Sequence, residues 1–319
     1  MRYATGFPRA SVFYTGNLSV RKGECNNCKR KPPSVFLAAA FLVSLTLSGC
    51  ANQAGIPRHM RSWNRDFPPF TVISNIHYVG SSDIAIFLIT TPAGHILLDS
   101  GFESSVPRLR ENVSALGFRF EDIKILLTSH AHIDHVQAHA LVRKLTGAQV
   151  VVARPDAPVV AGGGKGEPVY DGVYAWTPCP VDRPIEDGAT VTLGGTTLTA
   201  HLTPGHTRGA TTWTMVIHDH GRALNVLFFP SANVNDGVHL VGNVRYPEIA
   251  ADFEHSFAVW KSLPCDVFLG AHGHFFQLND KEERLRSHPA ENPFIDPEGY
   301  RRAIAAAEDR FRRQLKHER

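Results

Sequence analysis

Ser129-His130-Ala131-His132-Ile133-Asp134-His135 decides the reading of this chain: three imidazoles and a carboxylate fall within the six residues 130–135. The run directly follows an apolar stretch, Ile123 to Thr128, with the character of a buried strand. Residues i and i+2 on a segment leaving a strand reach the same side, so His130 and His132 can share one ion. Asp134 and His135, next along the loop, can turn toward a neighbouring ion. Neutral imidazole suits zinc, which also accepts a carboxylate oxygen. The competing reading is a polar loop that is merely rich in histidine, in a chain with 17 of them.

Two other segments weigh against that reading. Thr203-Pro204-Gly205-His206-Thr207 is a Pro-Gly turn that presents a histidine just after the alternating run Thr196 to Leu202. Phe268-Leu269-Gly270-Ala271-His272-Gly273-His274 places another just past the apolar run Asp266 to Leu269. Three strand ends therefore deliver histidine to what reads as one edge of a sheet.

With these residues in view, the chain resembles the metallo-β-lactamase superfamily, whose loop has the form HxHxDH and is followed by two separated histidines. The likeness covers about Asn75 to Phe276. Most hydrolases of that superfamily place a bridging Asp, and some β-lactamases a Cys, after the strand that here reads Asn225 to Phe229. This chain has Pro230-Ser231-Ala232-Asn233 instead. That substitution, the His heading the loop motif, and the phrase Leu263-Pro264-Cys265-Asp266-Val267-Phe268-Leu269-Gly270-Ala271-His272 are most like class B β-lactamases of subclass 3.

The resemblance implies an αββα sandwich and two Zn(2+) ions per chain. It assigns one zinc to His130, His132 and His206, and the other to Asp134, His135 and His272, with Ser231 holding a metal-bound water. The implied reaction is hydrolysis of the β-lactam amide of penicillins, cephalosporins and carbapenems by a metal-bound hydroxide, conferring antibiotic resistance. Asp134 orients that hydroxide as the catalytic carboxylate. Ser231 and Asn233 are the candidate partners for the carboxylate of a β-lactam. Counting two dications against Asp134 and one hydroxide leaves about +2 with neutral histidines, which favours anionic substrates. The alternative is a related dizinc hydrolase acting on lactones or other esters and amides. A third reading is a metal-binding protein with little turnover, because Val136 and Gln137 stand where the family usually has small residues.

Other histidines read as bystanders. His95 sits in an expected hairpin, His201 is supporting or strand packing, and His218, His220, His239 and His255 lie in polar surroundings. His139 and His274 are close enough to the motifs to line the pocket without being ligands. Asp99, ahead of Ser100-Gly101, resembles the family's acid that supports the metal loop; the other reading is a helix N-terminal acid. Ala161-Gly162-Gly163-Gly164-Lys165-Gly166 lacks the spacing of a phosphate loop and is either a rim over the site or a solvent loop. Ser19-Val20-Arg21-Lys22 matches a serine β-lactamase tetrad but lies in the leader without companion motifs. Cys265 usually pairs with a later cysteine in relatives, and none follows; Cys179 is the other thiol outside the leader.

Residues 1–49 read as a signal peptide of lipoprotein type. Lys29-Arg30-Lys31 precedes the uncharged run Val35 to Leu47, whose 13 residues are too few to span a bilayer. Leu47-Ser48-Gly49-Cys50 resembles a lipobox, implying a lipidated Cys50, anchoring to the outer membrane and a periplasmic location; a plain signal peptide is the alternative. The leader carries seven Lys/Arg and one Glu, so the chain's +3 becomes 3 − 6 = −3 beyond it. With no basic tract left there, nucleic acid is not an expected partner; a small-molecule β-lactam is. Residues 50–74 read as an N-terminal arm, with Trp63 and Phe67 available to pack or border the pocket. Residues 75–319 form the catalytic domain.

Overall fold

The computed structural model describes residues 55–319. The leader, Cys25, Cys28 and Cys50 lie outside them. Two sheets face each other. The first runs in the order β1 (Phe70–Ile73), β2 (Ile76–Tyr78), β3 (Phe87–Thr91), β4 (Gly94–Leu98), β5 (Ile123–Leu127), β6 (Gln149–Ala153) and β7 (Arg183–Ile185). It is antiparallel from β1 to β4 and parallel from β4 to β7. The second sheet contains β8 (Thr190–Leu193), β9 (Thr196–Leu202), β10 (Thr211–Asp219), β11 (Arg222–Phe229) and β12 (Val267–Gly270), with β12 parallel to β11 and the rest antiparallel.

The helices are α1 (Val106–Ala115), α2 (Ile133–Val136), α3 (His139–Thr146), α4 (Ala157–Ala161), α5 (Ile249–Ser262), α6 (Leu278–Ser287) and α7 (Pro297–Glu318). Strand alternation sorts the first sheet's side chains between two cores. Ile96, Leu98, Ile125 and Leu127 face the second sheet, in a core that continues to Phe253, Phe257, Ile304 and Phe311 of α5 and α7. Leu97 and Leu126 point the other way, onto Val106, Leu109 and Val113 of α1 and Val142 of α3. The expected αββα sandwich is therefore present.

Local rules account for the elements. Asp296 caps α7 by accepting from the Gly299 amide at 2.7 Å, Pro297 follows at the first turn, and Tyr300, Ile304, Ala307, Phe311 and Leu315 form its buried stripe. His220 and Gly221, both at positive φ, make the two-residue turn between β10 and β11. The two strands pair right up to that turn, as far as Asp219 and Arg222. The expected arm ends inside the sandwich, because Phe70–Ile73 is already β1, paired with β2.

The topology gathers the carboxyl ends of β4, β5, β9, β11 and β12. They are followed by Asp99, by the 129–135 loop, by the Thr203–His206 turn, by Ser231 and by His272. An isolated bridge from Ile84 to His272, with the Ala85 amide on the Ala271 carbonyl at 2.9 Å, joins the sheets there. Cys179 and Cys265 are both free and buried, in different cores.

Candidate metal centre

His130 leaves β5 in the loop, His132 has extended backbone at the entrance to α2, and Asp134 and His135 lie within that single turn. The change from extended to helical backbone splits the motif into two groups. His130, His132 and His206 form one, and Asp134, His135 and His272 the other; within each group the donor atoms lie within 4.8 Å of one another. In the second group Asp134 Oδ2 is 3.4 Å from both His135 Nε2 and His272 Nε2, which are themselves 3.3 Å apart. Donors bound to one tetrahedral dication at about 2.05 Å sit about 3.3 Å apart, so this spacing fits a metal. In the first group His130 Nε2 and His132 Nε2 are buried and have no hydrogen-bond partner. The ring centroids of His130 and His135 are 4.2 Å apart, so the two groups adjoin.

Behind the rings, the other nitrogens are engaged. His135 Nδ1 donates to Asp99 Oδ2 at 3.2 Å, His206 Nδ1 to the Asn233 carbonyl at 2.7 Å, and His272 Nδ1 to Asp83 Oδ2 at 3.0 Å. His130 Nδ1 donates to Ser129 Oγ at 3.0 Å, which passes its own proton toward Asp99 Oδ2 at 2.6 Å. Four of the five rings thus hold their proton on Nδ1 and turn the Nε2 lone pair to the centre. Burial, reinforced by neighbouring imidazoles, holds His130 and His206 well below the usual histidine range, in the neutral form a metal requires. Burial opposes charge on His135 as well, but Asp134 and Asp99 outweigh it and push that ring up to about 10, so an ion binding there must displace a proton from its Nε2. Burial acts against the Asp134 carboxylate, and the facing imidazoles hold it below the ordinary range.

Asp99 therefore does what the resemblance implied, from a left-handed backbone (φ 64°) that also aims Oδ1 at the Ser129 amide, 2.7 Å away. The sequence reading missed three other acids. Asp83 accepts from His272 and from the His274 backbone at 2.8 Å. Asp156 is buried and binds the Ala131 amide, the Thr207 hydroxyl and the Gly209 amide, fastening the 129–135 loop to the turn that carries His206. Burial raises its pKa against those three bonds. Glu167, also buried, brings Oε1 to 3.6 Å from His132 Nε2. Each sits in an unremarkable stretch of sequence, and no local pattern marks it. Counted as carboxylates, Asp83, Asp99 and Glu167 outweigh the excess of about +2 expected from Asp134 and hydroxide alone.

The remaining expectations sort plainly. Val136 is fully buried in the α1 and α3 core, and Gln137 Oε1 accepts from the Glu103 amide at 3.1 Å, so the bulk expected to disturb the site is accommodated. His139 does not line the pocket; it is buried between Ser100 Oγ at 2.7 Å and Thr128 Oγ1 at 2.8 Å. His274 is exposed and pairs with Asp83. His95 is buried, His201 bonds Thr214 across β9 and β10, and His218, His220, His239 and His255 are exposed. Gly205 is required where it stands: at φ 129°, a Cβ would meet the Phe253 ring at 2.7 Å.

Ser231 is buried, and its Oγ accepts from the Asn233 amide at 3.1 Å. Asn233 is partly exposed and borders a cleft of about 580 Å³ together with Trp63, Tyr170 and Arg310. Trp63 stands edge-on to His272 at 5.4 Å and Tyr170 to His132 at 5.4 Å, so the cleft wall touches both groups. Phe67, by contrast, packs on Phe70 and Tyr78.

Residues 80–219 match the family model described as the metallo-β-lactamase superfamily. The structure is similar to native FEZ-1 metallo-β-lactamase from Legionella gormanii, with 44% identity and a TM-score of 0.78 over 80% of this chain and 98% of that one. It is similar also to BJP-1, a subclass B3 metallo-β-lactamase of Bradyrhizobium japonicum, with 38% identity and a TM-score of 0.75 over 81% and 97%. A probable metallo-hydrolase of Burkholderia pseudomallei (strain 1710b) is 30% identical over 112 residues, 34% of this chain and 36% of that protein. That match thus spans about a third of the curated relative.

Proposed function

The chain belongs to the metallo-β-lactamase superfamily and is a hydrolase, and we propose that it opens the β-lactam ring of penicillins, cephalosporins and carbapenems at a centre of two zinc ions, conferring resistance to them. His130, His132 and His206 hold one ion and Asp134, His135 and His272 the other. The observation that carries this reading is the set of rings whose Nδ1 atoms are each tied to an acceptor while their Nε2 atoms converge.

Zinc bound there supplies Lewis acidity, polarising a carbonyl and bringing the pKa of water to about 7. The chain's own groups set the geometry of attack. Asp134 Oδ2 faces His135 and His272, leaving Oδ1 to accept a hydrogen bond from the attacking water and to hold its proton. As water adds to the carbonyl carbon and the ring C–N bond breaks, that proton goes to the departing nitrogen. No acyl-enzyme is needed. The Ser231 hydroxyl proton and the Asn233 side chain serve the substrate's carboxylate, and Trp63 and Tyr170 wall the cleft against water.

The four carboxylates around the centre favour keeping a second substrate class in view, since they remove the charge argument against neutral lactones and esters. Purified protein loaded with zinc, offered a penicillin, a carbapenem and an acyl-homoserine lactone, separates the two. The proposal expects turnover of both β-lactams; turnover of the lactone alone overturns it. For location, we propose a periplasmic protein anchored to the outer membrane through lipidated Cys50, supported by the run Val35 to Leu47 and the motif ending at Cys50. Mass spectrometry of the processed N-terminus tests this, and an unmodified Cys50 refutes it.

A further inference from the structure

Glu167 has no part in the mechanism above, yet it is only 3% exposed and its Oε1 has no hydrogen-bond partner. A buried carboxylate oxygen without a donor is costly unless a cation or donor arrives to meet it. The nearest ring atom is His132 Nε2, at 3.6 Å, which is equally buried and equally unpartnered. Two donors sharing one tetrahedral dication stand about 3.3 Å apart, so the pair is spaced as neighbouring ligands are.

The loop is built to deliver this oxygen. Glu167 Oε2 is held by its own loop, accepting from the Val169 amide at 2.8 Å and from the Tyr170 amide, so Oε1 is left facing the site. Gly163 and Gly164 turn the chain back at φ 67° and 95°, where a Cβ would press on the Trp176 carbonyl at 2.5 Å and the Tyr174 carbonyl at 2.6 Å. Tyr170 then lies against His132. The glycine-rich segment is a packed rim.

Resting on the assignment of an ion to His130, His132 and His206, we infer that Glu167 supplies a fourth, loop-borne oxygen ligand to that ion. Its Oε1 is not among the three donors whose mutual spacing is within 4.8 Å, so coordination requires the carboxylate to turn toward the ion.

The test is a titration of the full protein with Co(II), followed by visible absorption, and with zinc against a competing chelator. Wild type, Glu167→Gln and His206→Ala are compared. Glutamine keeps an oxygen for the Val169 and Tyr170 amides, so the loop is retained while the charge is lost. The inference expects Glu167→Gln to weaken the first ion at least tenfold and to change the Co(II) band, with Glu167→Asp restoring part of both. Affinity within twofold of wild type and an unchanged band overturn it. If His206→Ala still holds two ions, the ligand assignment itself fails. One ion lost in His206→Ala with Glu167→Gln unchanged leaves that assignment standing and removes only the Glu167 role.

Discussion

Asp99 bears on two of the proposed histidine ligands at once: one oxygen takes both His135 Nδ1 and the Ser129 hydroxyl that orients His130, the other the Ser129 amide. Asp99→Ala removes all three contacts and leaves two rings free to change tautomer. Loss of such a supporting group typically costs 10- to 100-fold in metal affinity, so a chelator competition at pH 7 should register about that loss. An affinity within threefold of wild type would make Asp99 a backbone feature only. The six candidate donors were legible as a group because they lie on motifs that follow strands. Asp83 was not, since its partner His272 lies 189 positions away. Glu167 was hidden the same way: a lone acid in a glycine-rich loop takes its meaning from where the loop folds.

At the level of elements, β9 was legible to the residue and β5 nearly so, because apolar runs and alternation end at polar turns. Helix α6 was not read. It buries Leu278 and Lys281, and Lys281 lies inside only because Asp296 meets it at 2.9 Å, so no apolar stripe announces the helix. Strand β1, hidden in the arm, and β2 just beyond it escaped notice because each is three or four residues long. His139, the first residue of α3, ties that helix to the ends of β4 and β5 through Ser100 and Thr128. Burial lowers its pKa from the usual 6.5 to about 4. A base depressed on folding contributes stability that is whole above pH 6.5 and is lost as pH falls through 4, because the unfolded chain binds the proton first. The shift corresponds to about 3 kcal/mol. Urea denaturation of wild type and His139→Gln between pH 7 and 4 reads it: the variant keeps both hydrogen bonds and should lose about 3 kcal/mol less on acidification. Parallel curves would place the acid sensitivity elsewhere.

Across the whole molecule, the sandwich exists to bring distant strand ends into one edge. His130 and His135 come from the first sheet, His206 and His272 from the second, and the Ile84–His272 bridge and the Asp156 contacts to Ala131, Thr207 and Gly209 lock the halves in register. Neither sheet alone completes either ligand group. That convergence separates a hydrolytic centre from a chance run of histidines, and it is tested most directly by titrating zinc into metal-free protein while following the opening of a penicillin. The account predicts that hydrolysis appears with added zinc, levels off at two ions per chain, and exceeds the rate of free zinc at the same concentration. A rate no greater than that of free zinc, or a plateau reached with no ion bound, would contradict it.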